Sequence, residues 1–203
     1  MAARIADRLH LATEGRFDPT VQPLWRALAT GGDADAARRL IGWRRVRLGT
    51  PTTLGAGQAL TLNGVAQGYA TDMVTDALAA EGFADVLVNI GEFRAGDGDW
   101  RVGVEDPEEG LVRTATLRSR AIATSSPAAT RVGGAPHIFG PEGDAPIWST
   151  VSVEADTAAM ADGLSTALCL AGEADAIRIA RSLPGVRRLT LVAKGGDMRS
   201  ILI

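Results

Sequence analysis

Met160–Gly172 reads MADGLSTALCLAG, a helical run of small and apolar residues with one carboxylate, Asp162, near its start. Either Asp156 or Thr157 stands ready to cap it. On a helix, Asp162 and Thr166 lie four residues apart and project from the same face. A carboxylate and a hydroxyl so placed can share a hard cation such as Mg2+, which takes oxygen ligands and keeps waters or phosphate oxygens as well. The spacing equally suits a structural role, with Asp162 near the positive end of the helix dipole and Thr166 bonded to its own backbone. Cys169, the only cysteine, sits in the apolar part of this helix, so no disulfide forms within the chain and the thiol reads as a small core hydrophobe.

Around this helix, 203 residues at 46% hydrophobic content provide a sizeable core, most simply one domain over residues 1–203. A net charge of -3 argues against a nucleic-acid binder. Arg44, Arg45 and Arg47 alternate with apolar neighbours like the solvated face of an edge strand. No apolar run reaches the length of a membrane span. The N-terminal MAARIADRLHLATEG lacks the apolar core of a secretory signal; it reads as an amphipathic helix with Ile5, Leu9 and Leu11 inward and His10 outward. The protein is therefore cytoplasmic, or an upstream piece lies outside this sequence.

Helices are expected over 20–29 and from an Asp33 cap to about Ile41, with strands at 44–48 and 58–62. The stretch TLNGVAQGYATDMVTDALAAEGF, residues 61–83, then passes from strand through Asn-Gly into a helix. Its apolar spacing runs from Ala66 through Tyr69, Met73, Val74 and Leu78 to a stop at Gly82. Glycine at a strand-to-helix junction lets a ligand approach the backbone, and a helix start offers free N–H groups to phosphate; plain packing also recruits glycine there. A buried strand is expected at 85–90, then strands at 100–105, 112–117 and 120–124. Loop follows over 125–146, holding His137, a position where polar working groups gather. A strand at 148–153, a helix at 174–182 and strands at 188–193 and 198–203 complete an α+β chain, with helices packed on antiparallel sheets.

Five separated pieces resemble one family. GRFDPTVQPLW, LNGVAQGYATD, VLVNIGEFRAGDGDWRVGVEDP, AIATSS followed by PHIFGPEG, and ADGLSTALCLAG stand in the order and at about the spacing of ApbE-type flavin transferases. The resemblance runs from Gly15 to Gly172 and implies an ApbE-like, T-fold-related domain. It implies Mg2+-dependent transfer of FMN from FAD to a threonine or serine hydroxyl of an acceptor protein, releasing AMP. Some members hydrolyse FAD to FMN and AMP, and a degenerate relative would bind flavin without turnover.

By resemblance, Asp162, Thr166 and the backbone carbonyl of Gly64 are the metal ligands, and Asp18, Thr20, Thr61, Gln67 and Ile138 contact the flavin nucleotide. His137 matches the family histidine near the reacting phosphate, where it takes the proton of the incoming hydroxyl. Thr61 stands where the family usually has aspartate, and Gln67 where it has lysine or glutamate. Glu92 takes the place of the second glycine after the VNIG strand, bringing negative charge to a nucleotide path. The family's SGDY run becomes Ser125-Ser126-Pro127-Ala128, and Gly140 replaces an aspartate. The family's N-terminal segment and lipoprotein signal have no counterpart here, and the resemblance points to a periplasmic setting with a membrane or periplasmic redox protein as acceptor.

Overall fold

A computed structural model describes residues 2–203. Helix α1 (Ala2–Ala12) is followed by α2 (Gln22–Thr30), α3 (Ala34–Arg38) and the long α4 (Asn63–Ala80). Strands β1 (Leu87–Asn89), β2 (Phe93–Ala95), β3 (Trp100–Asp106), β4 (Gly110–Leu117) and β5 (Ala121–Ser125) come next. A two-residue ladder, β6 (Arg131–Val132) with β7 (Ala135–Pro136), leads to β8 (Trp148–Ala155). The quoted helix is α5 (Ala158–Leu168), and α6 (Glu173–Ser182), β9 (Val186–Ala193) and β10 (Met198–Leu202) close the chain.

Six strands make one antiparallel sheet in the order β1-β2-β5-β8-β9-β10, while β3 and β4 form a separate hairpin. Helix α5 lies on one face of this sheet. Almost every side chain in it is buried, and the small residues there let β5, β8, α1 and α4 all close around it. The hairpin covers the opposite face near β5. Successive residues of a strand point to opposite faces, so Ala123 joins the helix-side core while Ile122 joins the hairpin core with Val104 and Leu117. That double cover buries Ala121, Ile122 and Ala123 on both faces of β5.

Helix α4 crosses the start of α5 at very close range. A Cβ built on Gly68 would lie 2.4 Å from the Ala158 carbonyl oxygen and 2.8 Å from the Ala159 Cα, so only glycine fits. One turn on, the Asp72 carboxylate accepts the backbone N–H groups of Ala158 (2.8 Å) and Ala159 (2.9 Å), two donors that the first turn of α5 leaves open. Thr157 adds its side chain as the N-cap, while Asp156 instead pairs with Arg187.

Several expectations are corrected here. Residues 44–48 and 58–62 are not strands: Trp43–Arg45 is a 3-10 turn, and among the described residues the segment's ladder pairing is the isolated bridge Arg47↔Thr53. Side chains tie the segment to the stretch before it instead, Gln58 donating to the Leu40 and Gly42 carbonyls and Arg45 to those of Arg39 and Ile41. Helix α4 begins at Asn63, and Met73 and Val74 are exposed. Its buried face is Val65, Gly68, Thr71, Asp72 and Thr75, because contact with α5 admits only small or internally bonded side chains. Leu11 is exposed, and His10 turns inward to the Phe17 carbonyl, 3.0 Å away. The strand expected at 85–90 is the short sheet edge β1, with Val88 alone buried, and β2 lies in what reads as a glycine-rich loop. The 125–146 loop holds a 3-10 turn and the β6–β7 ladder.

Replacing Gly68 with alanine should separate α4 from α5 and destabilise the protein by roughly 1–3 kcal/mol. A lower midpoint in a urea or thermal melt is the expected result.

Candidate active site

A cleft of about 880 Å³ opens between the start of α4, the β1–β2 turn, β5, the His137 loop and α5. Asp18, Thr61, Gly64, Gln67, His137, Ile138, Asp162 and Thr166 all line it. Thr20 does not. It is fully buried, donating its hydroxyl to Asp18 Oδ1 (2.5 Å) and accepting the Gly42 N–H (2.8 Å), so it holds Asp18 in place from behind the wall.

The start of α4 is bent in a way that bears on its ligand chemistry. In a regular helix the Gly68 N–H would bond the Gly64 carbonyl, four residues back. Here Gly68 N–H donates to Asp162 Oδ2 at 3.0 Å, and Gly64 has φ −83° and ψ 16°, outside the helical range. The usual donor for the Gly64 carbonyl is thus committed to the Asp162 carboxylate. A Cβ on Gly64 would sit 3.1 Å from Thr166 Oγ1, so this bend and the Thr166 hydroxyl face each other closely. Carbonyl, carboxylate and hydroxyl oxygens together make a hard donor set of the kind Mg2+ or Ca2+ takes. Among the described residues no group of three or more His, Cys, Asp or Glu gathers as a metal cluster, in this cleft or outside it.

Electrostatics sharpen the picture. Burial pushes the Asp162 carboxyl up to about 6, opposed by its bond from Gly68. Glu92 is pushed up to about 8, first by burial and then by the nearby Asp162 charge. No ion pair to either carboxylate is found among the described residues. The wall carries Asp18, Glu92, Glu105 and Asp162, and its one guanidinium, Arg16, is already paired with Glu14 and Asp175.

His137 is held in one tautomer. Its Nδ1 faces the carbonyl oxygens of Pro127 (3.0 Å) and Thr130 (3.2 Å), which can only accept, so Nδ1 carries the hydrogen. Nε2 is then the proton acceptor of the neutral ring. A hydroxyl chain lies behind Thr166: Ser125 Oγ is 2.8 Å from Ser165 Oγ and 3.4 Å from Thr166 Oγ1. Sequence reasoning named Ser125 only within a departure from the family's SGDY run, and it passed over Ser165 and the aromatic walls formed by Phe17, Trp25 and Phe139. The adjacency of Ser165 to Thr166 was the local signal for that serine. His10, given no role from sequence, stands 3.8 Å from Asp18 Oδ2.

The sequence profile of the ApbE family matches residues 2–190. A Rhodobacter capsulatus protein named FAD:protein FMN transferase is 32% identical over a 213-residue alignment covering 92% of this chain and 40% of that protein. The chain thus spans well under half of that relative's length. Among solved structures, the Pseudomonas stutzeri flavinyl transferase ApbE in its apo form superposes with a TM-score of 0.80 at 26% identity, over 98% of this chain and 70% of that one. The ApbE protein from Thermotoga maritima superposes with a TM-score of 0.80 at 26% identity, over 98% of this chain and 74% of that one. With a profile match across nearly its whole length, and a fold shared with solved members, the chain belongs to the ApbE family.

Proposed function

We propose that this chain carries the catalytic centre of a divalent-cation-dependent flavin transferase. It would move FMN from FAD to a threonine or serine hydroxyl of an acceptor protein and release AMP. The observation that carries this reading is the convergence, in one cleft, of the Asp162–Thr166–Gly64 oxygen set and a histidine whose proton-accepting nitrogen is fixed. The Rhodobacter relative's name supplies the reaction class.

The charge of the cleft supports a need for cations. A dinucleotide diphosphate is anionic, and the wall that would receive it is acidic with its guanidinium engaged. Unscreened, those carboxylates would repel the substrate. Mg2+ or a similar ion, when bound, neutralises charge on the diphosphate and stabilises the departing AMP phosphate. Asp162, Thr166 and the Gly64 carbonyl would hold it.

The remaining work falls to the protein's own groups. The acceptor hydroxyl oxygen forms a bond to the FMN-side phosphorus as the phosphoanhydride bond to AMP breaks, and the hydroxyl proton passes to His137 Nε2. The Pro127 and Thr130 carbonyls keep Nδ1 protonated, so Nε2 stays the acceptor and the resulting imidazolium is stabilised. Asp18, held by Thr20, and the side chains of Thr61, Gln67 and Ile138 would position the nucleotide.

Incubated with FAD, Mg2+ and a fluorescently detectable acceptor protein, the chain should produce a flavinylated band in a gel. His137→Ala should slow its appearance by roughly 10²–10⁴-fold. Asp162→Ala should abolish it, and an undiminished yield from that variant would exclude the metal assignment.

A pH dependence follows from the buried carboxylates. Their folded-state values lie above the ordinary values of 3.8 and 4.5, so their contribution to stability is full below pH 4 and is lost as pH rises through about 6 for Asp162 and about 8 for Glu92. Considering these two groups, the melting temperature in chelator should fall between pH 6 and pH 8, and added Mg2+ should restore it most at the upper end. A melting temperature that is flat over that window with and without Mg2+ would contradict this account.

A further inference from the structure

Glu92 stands at the one wall position where the chain brings an extra negative charge to the cleft. Its backbone is fixed rather than loose. The Asn89 side chain accepts the Gly91 N–H at 3.0 Å, and the Glu92 carbonyl accepts the Thr71 hydroxyl at 3.3 Å and the Ile90 N–H at 3.3 Å. Thr71 lies three residues beyond Gly68 on the buried face of α4, and Gly68 holds Asp162. Both residues are therefore tied to one face of α4, Glu92 through its backbone carbonyl and Asp162 through its carboxylate, and both line the same cleft.

Among the described residues neither carboxylate has a compensating cation. Asp162 is 4% exposed, and the Gly68 N–H is the one protein donor found for its side chain among the described residues. Arg94, the guanidinium that follows Glu92 by two residues, is turned to Asp72 and Asp76 on the far side. Two acids facing one enclosed space without a counter-charge repel each other, and a divalent ion between them converts that repulsion into attraction from both sides.

We propose that Glu92 is a second carboxylate ligand of the divalent cation held by Asp162, Thr166 and Gly64, a role no family motif assigns to it. This rests on the metal reading above. It gives the centre a second carboxylate before nucleotide arrives, so the cation binds in the absence of nucleotide instead of entering with the diphosphate. The loss of charged nucleotide contacts at Thr61 and Gln67 would thereby be offset by a cation already in place.

The test is Mn2+ binding without FAD, followed by the electron paramagnetic resonance signal of the free ion. Wild-type protein should bind one Mn2+, Glu92→Gln should bind it at least about tenfold more weakly, and Asp162→Asn should lose it. Glu92→Asp, which keeps the charge on a shorter arm, should fall between wild type and Glu92→Gln, and thermal melts in chelator establish that each variant is folded. Wild-type affinity in Glu92→Gln, with binding lost in Asp162→Asn, would overturn the role of Glu92 and leave the metal reading standing. Failure of wild-type protein to bind Mn2+ at all without FAD would overturn the preloaded centre; if Mn2+ still fails to bind in the presence of FAD, the metal reading falls with it.

Discussion

The bond from the Gly68 amide to the Asp162 carboxylate joins the fold to its chemistry. It forms because α4 and α5 approach until backbone touches backbone, which the missing side chain of Gly68 permits. The same contact brings the Asp72 carboxylate onto the open amides of α5, so two aspartates from different helices fasten the crossing in opposite directions. Buried carboxylates are tolerated only when bonded, and each of these is bonded to backbone N–H groups. The first turn of α4 bends at Gly64, which lies close against the Thr166 hydroxyl of α5.

Everything around the crossing is arranged to keep it dry and rigid. The six-stranded sheet gives α5 a floor, α1 and α4 pack against it, and the β3–β4 hairpin seals the reverse of β5. The cleft lies at the edge of this packing, where loops and strand ends meet. Its wall is acidic although the chain as a whole is only weakly negative. That local concentration of carboxylates is costly to the protein by itself, since like charges repel.

Much of the cleft was legible in the linear chain because its residues fall in short motifs. Asp162 and Thr166 share a helix, Gly64 and Gln67 lie at a helix start, and His137 and Ile138 are neighbours. The family resemblance supplied their roles, and the profile and structural comparisons support the family itself. Thr20 shows the limit of reading by motif: next to a cleft residue, it faces the other way, and its hydroxyl serves Asp18 and Gly42. Residues 43–61 show another. Their pattern suggests strands, but the side chains of Gln58 and Arg45 bond the carbonyls of Leu40 and Ile41 just upstream and hold the segment as turns.

Local periodicity and turn chemistry determined which segments are helix and strand over most of the chain, since those preferences act within a few residues. They also placed a carboxylate and a hydroxyl on one helical face. Which face of α4 is buried was decided only by tertiary structure. Apolar spacing pointed to Met73 and Val74, yet close packing against α5 selected Gly68, Thr71, Asp72 and Thr75, because clearance at a helix crossing is set by side-chain size before hydrophobicity. The placing of Glu92 and Asp162, seventy residues apart in sequence, on the wall of one cleft was likewise decided in three dimensions, by the helix α4 to which both are tied.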